Sequence, residues 1–372
     1  MKRFSTYGLL GLCLTVLVVF QSCKDDDSVV IDPGGIDNED VYFPPIIGDD
    51  WATISAQSLD WDTSKISDLY TFLDDGGTRA FIVVKNGKIV LEHYGGLDIL
   101  KRGAFTDKSV WYWASAGKTL TSFLVGQAQE DGHLSLSDKT SDYLGDWTSL
   151  TKTQQDKITI RHQLTMSSGL DDSGNSDCTE KACITYKADP GTRWAYHNAP
   201  YTLLDSVIQQ STNSSFDDYF NNRLRNPIGM DGYWTYLDYN HVYFSTARSM
   251  VRFGLVTLNK GKWDQQTILG DTNYWADMVN TSQDINKSYG YLWWLNGKAS
   301  HMLPGLQLEI KRPISENAPS DMISGLGKNG QLLNIIPSQN LIVIRMGDNP
   351  DNALVPTKFL NDMWGKINNV IQ

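Results

Sequence analysis

Two clusters of β-branched and aliphatic residues frame the body of the chain. Phe81-Ile82-Val83-Val84 and Ile89-Val90-Leu91 are separated by Lys85-Asn86-Gly87-Lys88, and two such runs joined at Asn-Gly predict a β-hairpin. Near the other end, Gln331–Ile336 and Leu341–Met346 repeat the pattern around Pro337-Ser338-Gln339-Asn340. Apolar positions at helical spacing flank both clusters, around Ser64–Leu73 and in Val355–Val370, where Phe359, Leu360, Met363, Trp364 and Ile367 share a face. Between them, at about 116–285, the segments Thr119–Glu130, Tyr201–Gln210, Phe216–Leu224 and Thr246–Asn259 read as helices separated by polar loops. Strands from both ends with helices inserted between them predict an α+β body over 51–372. Its antiparallel sheet, flanked by terminal helices, takes about 51–114 and 286–372, and a mainly helical part takes about 115–285. A cleft between the two parts is the expected site.

The first residues follow a different pattern. Lys2 and Arg3 precede an uncharged apolar run from Tyr7 to Phe20, too short to span a bilayer comfortably and shaped like a secretory signal. It ends at Phe20-Gln21-Ser22-Cys23, which resembles a bacterial lipoprotein signal over residues 1–22, with Cys23 as the lipidated first residue of the mature chain. Lys24-Asp25-Asp26-Asp27 resembles the acidic export tag of Bacteroidota surface lipoproteins. Residues 23–50, rich in Asp, Pro and Gly, are then an acidic tether. The expected location is exported and lipid-anchored in the outer membrane, with the cell surface open as the final position.

Composition narrows the function classes. With 41% hydrophobic residues and 12 Trp in 372 residues, the chain is not of a disordered type. Its net charge is −11, which gives no electrostatic grip on nucleic acid or on an anionic membrane. Nine of the acidic residues, with a single lysine, fall in 24–50, so the acidity belongs mostly to the tether. Six histidines occur without a His-Glu-x-x-His or other ligand spacing, and neither a metal nor a cofactor is expected. Cys178 and Cys183 lie close together in a polar loop. In an oxidising compartment they are expected to pair, with two free thiols as the alternative.

The chemistry concentrates at Trp113-Ala114-Ser115-Ala116-Gly117-Lys118. An apolar helical pattern follows, so Ser115 and Lys118 fall three apart on one face at a helix start. There, first-turn N–H groups can hold an oxyanion, and a serine hydroxyl gains the base it needs. A second Ser-x-x-Lys, Ser149 to Lys152, has no apolar helix after it. Further on, Pro190-Gly191 leads into Tyr196-His197-Asn198, an expected extended segment with Tyr196 and Asn198 on one side. Gly325-Leu326-Gly327-Lys328-Asn329-Gly330-Gln331 reads as a glycine-rich entry into a strand.

Taken in order, Ser115-x-x-Lys118, Tyr196-x-Asn198 and Lys328-x-Gly330 resemble the motifs of the serine β-lactamase and penicillin-binding-protein superfamily. The likeness is to its β-lactamase-related branch of class C enzymes, esterases and 6-aminohexanoate-dimer hydrolases. It runs from about 80 to 350 and includes Ile158-Thr159-Ile160-Arg161 with Ser168-Gly169-Leu170, and Tyr289-Gly290-Tyr291. The resemblance implies a β-lactamase-like fold. It makes Ser115 the acylated nucleophile, Lys118 its partner, Tyr196 the general base and Lys328 the completion of a positive rim, with Asn198, Gly330 and Gln331 on the substrate. A free tyrosine titrates near pH 10, and two ammonium groups about 4 Å away, at ~1 to 4 kcal/mol each, would make it a phenolate at neutral pH. The second oxyanion amide falls on Lys328 or on Gln331, depending on the register. Lys-Asn-Gly stands where relatives have Lys-Thr-Gly, so the hydroxyl they use on a β-lactam carboxylate is absent. The implied activity is hydrolysis of a small ester, amide or D-amino-acid peptide bond through an acyl-enzyme. A true β-lactamase and a non-catalytic penicillin-binding-like lipoprotein are the alternatives. A Gly-x-Ser-x-Gly elbow is absent at Ser115, because Trp113 occupies the first glycine position.

Overall fold

The computed structural model describes residues 41–371; the signal, Cys23 and the tag at Lys24–Asp27 lie outside them. Helix α1 (Ile66–Asp75) leads into β1 (Thr78–Lys85) and β2 (Lys88–Tyr94). Asn86 and Gly87 turn this hairpin at φ 49° and 79°, and Gly87 is required because a Cβ there would lie 1.8 Å from the Tyr42 carbonyl oxygen. Strand β3 (Trp111–Tyr112) is followed by a 3₁₀ turn, Ala114–Gly117, and by α2 (Lys118–Glu130). Then come α3 (Asn198–Thr202), α4 (Leu204–Thr212), β4 (Tyr233–Leu237), β5 (Asn240–Ser245) and α5 (Ala247–Leu258). The chain closes with β6 (Trp294–Leu295), β7 (Ile323–Gly327), β8 (Gln331–Ile336), β9 (Leu341–Gly347) and α6 (Thr357–Ile371).

The main sheet is antiparallel, with order β2-β1-β9-β8-β7-β6. Its centre joins the two ends of the body: Ile82 lies opposite Ile344 and Val83 opposite Val343. These strands are buried at nearly every position rather than at alternate ones, because both faces are covered. On β9, Ile342 meets α5 at Gly254, where a Cβ would sit 3.0 Å away. Three residues on, and therefore on the other face, Arg345 lies over the ring of Phe359 from α6. Phe359 in turn stacks on Phe72 of α1 at 5.1 Å.

The α+β organisation is the expected one, and three local differences have clear causes. The inserted part adds a hairpin, β4-β5, of Tyr-Trp-Thr-Tyr-Leu and His-Val-Tyr-Phe, sequences of high β propensity, which joins β3 in a second sheet, β3-β5-β4. The glycine-rich stretch forms two strands, β7 and β8, reversed at Lys328–Gly330. The segment expected as tether is part of the body from Val41 onward: the Tyr42 N–H donates to the Asn86 carbonyl at 3.1 Å. Arg252 and Arg248 donate to the carbonyls of Pro45 at 2.8 Å and Asp49 at 2.9 Å. Cys178 and Cys183 form a disulfide. Among the described residues, no helix is long and apolar enough to cross a membrane.

Candidate active site

Ser115 sits in the 3₁₀ turn that starts α2, directly after Ala114, whose φ of 47° is uncommon for a residue with a side chain. The turn is held by the Trp113 N–H on the Tyr243 carbonyl, 2.8 Å. Lys118, the first residue of α2, is 3% exposed, and its Nζ lies 3.4 Å from Ser115 Oγ. Strand β7 runs tightly beside this turn. A Cβ on Gly327 would come 2.6 Å from the Trp113 carbonyl oxygen, so glycine lets the strand edge approach the turn that carries Ser115. The other Ser-x-x-Lys serves structure: Ser149 Oγ donates to the Ile184 carbonyl, and Lys152 pairs with Asp156 at 2.8 Å.

Aromatic rings wall in the lysine. Its Nζ is 4.0 Å from the centroid of Tyr201 and 5.3 Å from that of Tyr196. Tyr196 stacks on Trp294 at 5.9 Å and 19°. Burial acts on both titratable groups in the direction that removes charge. It lowers Lys118 to about 7, against the opposing pull of Asp177 and Asp205. It pushes the Tyr196 phenol up, opposed by contact with the Ser115 hydroxyl. Burial thus works against the expected phenolate at Tyr196 and toward a neutral amine at Lys118.

Ser115, Tyr196, Asn198 and Lys328 line one cleft of about 150 Å³. Asp172, Ser176, Leu326, Leu354 and Val355 complete its walls, with Pro304 and Gly305. Asn198 is the first residue of α3 rather than part of an extended segment, and its Nδ2 donates to Asp177 Oδ1 at 2.6 Å. His197, between Tyr196 and Asn198 in the chain, is buried at 2% exposure and is not among the lining residues.

Gly330 and Gln331 do not line the cleft either. Asn329 and Gly330 take φ of 64° and 73° and reverse the chain, so Gln331 opens β8 and points inward. There its Nε2 donates to the Gly347 carbonyl at 2.7 Å and its Oε1 accepts from the Gly347 N–H at 3.0 Å. Of Lys328 and Gln331, between which the sequence leaves the second oxyanion amide open, Lys328 is the residue that lines the cleft. Asn329 turns its Nδ2 to the Tyr112 hydroxyl, 2.8 Å, so it does not replace the missing threonine.

Two supporting residues went unnoticed in the sequence. Arg345 is fully buried and donates to the carbonyls of Asn329 (2.7 Å) and Gly330 (3.0 Å). Its other nitrogens reach the Gly76 carbonyl (2.6 Å) and Thr78 Oγ1 (3.1 Å), clamping the Lys328 turn to the sheet. A lone arginine inside Leu-Ile-Val-Ile-Arg-Met was the available signal. Asp177, beneath Asn198, had as its only signal its place beside Cys178. Among the described residues, no cluster of His, Cys, Asp or Glu could hold a metal ion.

Comparison with known proteins agrees with this fold. A segment of 169 residues is 27% identical to Protein flp of Staphylococcus aureus strain N315, covering 41% of this chain and 33% of that protein. A segment of 163 residues is 27% identical to the Beta-lactamase of Escherichia coli K12, covering 42% of each. The chain thus matches well under half the length of these curated relatives. Among solved structures, a Bacillus anthracis protein proposed to be a 6-aminohexanoate-dimer hydrolase superposes with a TM-score of 0.64 at 20% identity, over 86% of this chain and 87% of its own. A Bacteroides dorei protein proposed to be a beta-lactamase also reaches 0.64, at 18% identity over 84% and 99%. At these identities the likeness is one of fold. The Beta-lactamase family model matches residues 76–353, the whole span from the first sheet strand to the loop before the last helix, and the chain belongs to that family.

Proposed function

We propose that the protein is a serine acyl hydrolase that forms an acyl-enzyme on Ser115 and cleaves a small ester, amide or D-amino-acid peptide bond. The observation that supports this best is the 3.4 Å approach of a buried Lys118 amine to Ser115 Oγ, with the amine's proton loosened to about pH 7 by burial. The neutral amine takes the hydroxyl proton as Oγ attacks the acyl carbonyl, and the resulting oxyanion is held by amides at the start of α2 and the end of β7. When the tetrahedral intermediate collapses, the alcohol or amine leaves with a proton relayed through Tyr196. Water then attacks the acyl-enzyme, and the same groups act in reverse. Lys328 on the rim suits a negative group on the substrate.

A β-lactam is a poor fit, because Asn329 bonds Tyr112 instead of facing the cleft. Losing one hydrogen bond to a charged group is worth about 10- to 100-fold. A panel of p-nitrophenyl esters, D-alanyl peptides and nitrocefin tests the reading. Turnover of an ester or peptide, with nitrocefin at least tenfold slower, is the expected order. Turnover of none would favour a binding module, and nitrocefin as the best substrate would make the protein a β-lactamase. We further propose a lipid anchor at Cys23, as the only link to a membrane. Cys23→Ala is expected to shift the protein from the membrane to the soluble fraction, and unchanged fractionation would defeat the anchor.

A further inference from the structure

We propose that Tyr201 is a positioning residue for the reaction: its ring holds the Lys118 amine toward Ser115 and shares the positive charge formed when that amine takes the serine proton. This rests on Ser115 and Lys118 acting as the acylating pair. A protonated lysine has three N–H groups to place. Among the described residues, Ser115 Oγ at 3.4 Å is the acceptor within hydrogen-bond distance of Nζ, and no carboxylate pairs with it. Lys118 is only 3% exposed, which leaves little room for water. What the amine meets instead is the face of the Tyr201 ring, with Nζ 4.0 Å from its centroid. A ring face is negative and attracts a cation at this range, more strongly where solvent is excluded. Tyr196 also presents a ring, but at 5.3 Å.

The ring is held firmly enough to position something else. Tyr201 lies in α3, whose Pro200 carbonyl accepts from Gln163 Nε2 at 2.6 Å and whose Ala199 N–H donates to the Ser176 carbonyl at 2.9 Å. Its hydroxyl lies 3.4 Å from Thr121 Oγ1. Thr121 and Lys118 are three apart on α2 and share a face. One helix face thus meets both the hydroxyl and the π surface of a single buried ring. The long lysine stem, flexible by itself, is given one place to end.

The other groups around the amine come from separate elements. Ser115 lies in the preceding turn, Tyr196 precedes α3, Asp177 is on the loop before it and Asp205 is on α4. Lys328 lines the same cleft as Ser115. The two carboxylates have partners of their own, Asn198 at 2.6 Å and His241 at 2.8 Å. Burial acts against ionisation of the Tyr201 phenol, so the amine meets a π face rather than a phenolate. As Oγ bonds to the acyl carbon, its proton passes to Nζ, and the ring stays in place to meet the new charge. Loss of the ring's attraction weakens Lys118 as a proton acceptor and lowers the pH at which the amine becomes neutral.

The test needs no known substrate: the pH dependence of Ser115 modification by a fluorophosphonate, measured on the full chain. Tyr201→Phe keeps the ring face and loses only the hydroxyl, so its acidic limb should stay with that of wild type. A trifluorinated phenylalanine at position 201 keeps the shape of that ring but draws charge from its face. Its limb should lie about half a pH unit lower, with the plateau rate reduced about threefold. Tyr201→Leu removes the ring and should move the limb at least as far, with the folding of each variant checked by thermal melting. Limbs that superpose for the phenylalanine and its fluorinated form would overturn the proposal, whatever Tyr201→Leu does. A shift already complete in Tyr201→Phe would also overturn it, by assigning the effect to the hydroxyl. Wild-type protein that takes no label would instead overturn the acyl-enzyme reading itself, and this inference with it.

Discussion

Ser115→Ala is expected to lower kcat/KM by about 10⁴-fold or more, roughly 5 kcal/mol of transition-state stabilisation at 1.36 kcal/mol per decade. Stability should hardly change. The turn that carries Ser115 is built from backbone bonds, Trp113 N–H to Tyr243 and Ala116 N–H to Trp113, none of which uses the hydroxyl. The strained φ of Ala114 also belongs to the backbone and stays. Kinetics on the best substrate of the panel, beside a thermal melt, would check both halves. Activity within tenfold of wild type would place the nucleophile elsewhere.

Lys118→Met should be nearly as damaging, at about 10³-fold, because it deletes the proton acceptor and keeps the volume. In the wild type, activity should rise with pH through about 7, as the buried amine loses its proton. The variant should lose that limb. Stability provides an independent sign. The folded-state pKa of Lys118 lies below its unfolded value, so between about 7 and 10.5 the unfolded chain binds more protons, and stability rises with pH over that window. A methionine there has no charge to desolvate, so the variant should be the more stable protein at pH 7, with the gap closing toward pH 10. Urea unfolding at the two pH values measures this. A variant less stable than wild type at pH 7 by the same margin as at pH 10 would mean that burial does not depress the amine.

What could be read in the sequence was local. Ser115 and Lys118 are three apart at a helix start, and helical periodicity after them sufficed to place both on one face. The hairpin at Asn86-Gly87 was legible because its turn chemistry is contiguous. The Lys328-Asn329-Gly330 triplet has the same chemistry, two consecutive positive φ values, and it too turns a hairpin. Its likeness to a family motif drew attention to Gln331, which the turn carries away from the cleft. Asn198 was placed on the correct wall but in the wrong element, because a five-residue helix has too few positions to show a period.

The charge states were not legible at all. Motif order brings Lys118 and Tyr196 together, yet whether neighbouring charge or burial prevails depends on rings 80 to 180 positions away, Tyr201 and Trp294 among them. The same holds for the Asp177–Asn198 bond, which spans 21 residues of polar loop. Arg345 shows a related limit. A buried arginine on a strand is visible as an anomaly, but its partners are carbonyl oxygens, which every residue carries.

The acyl-enzyme claim is tested most directly by mass spectrometry of the full chain after treatment with a fluorophosphonate. One adduct per molecule is predicted, on the tryptic peptide of residues 109–118, at Ser115. No adduct, or an adduct on another serine such as Ser149, would contradict it.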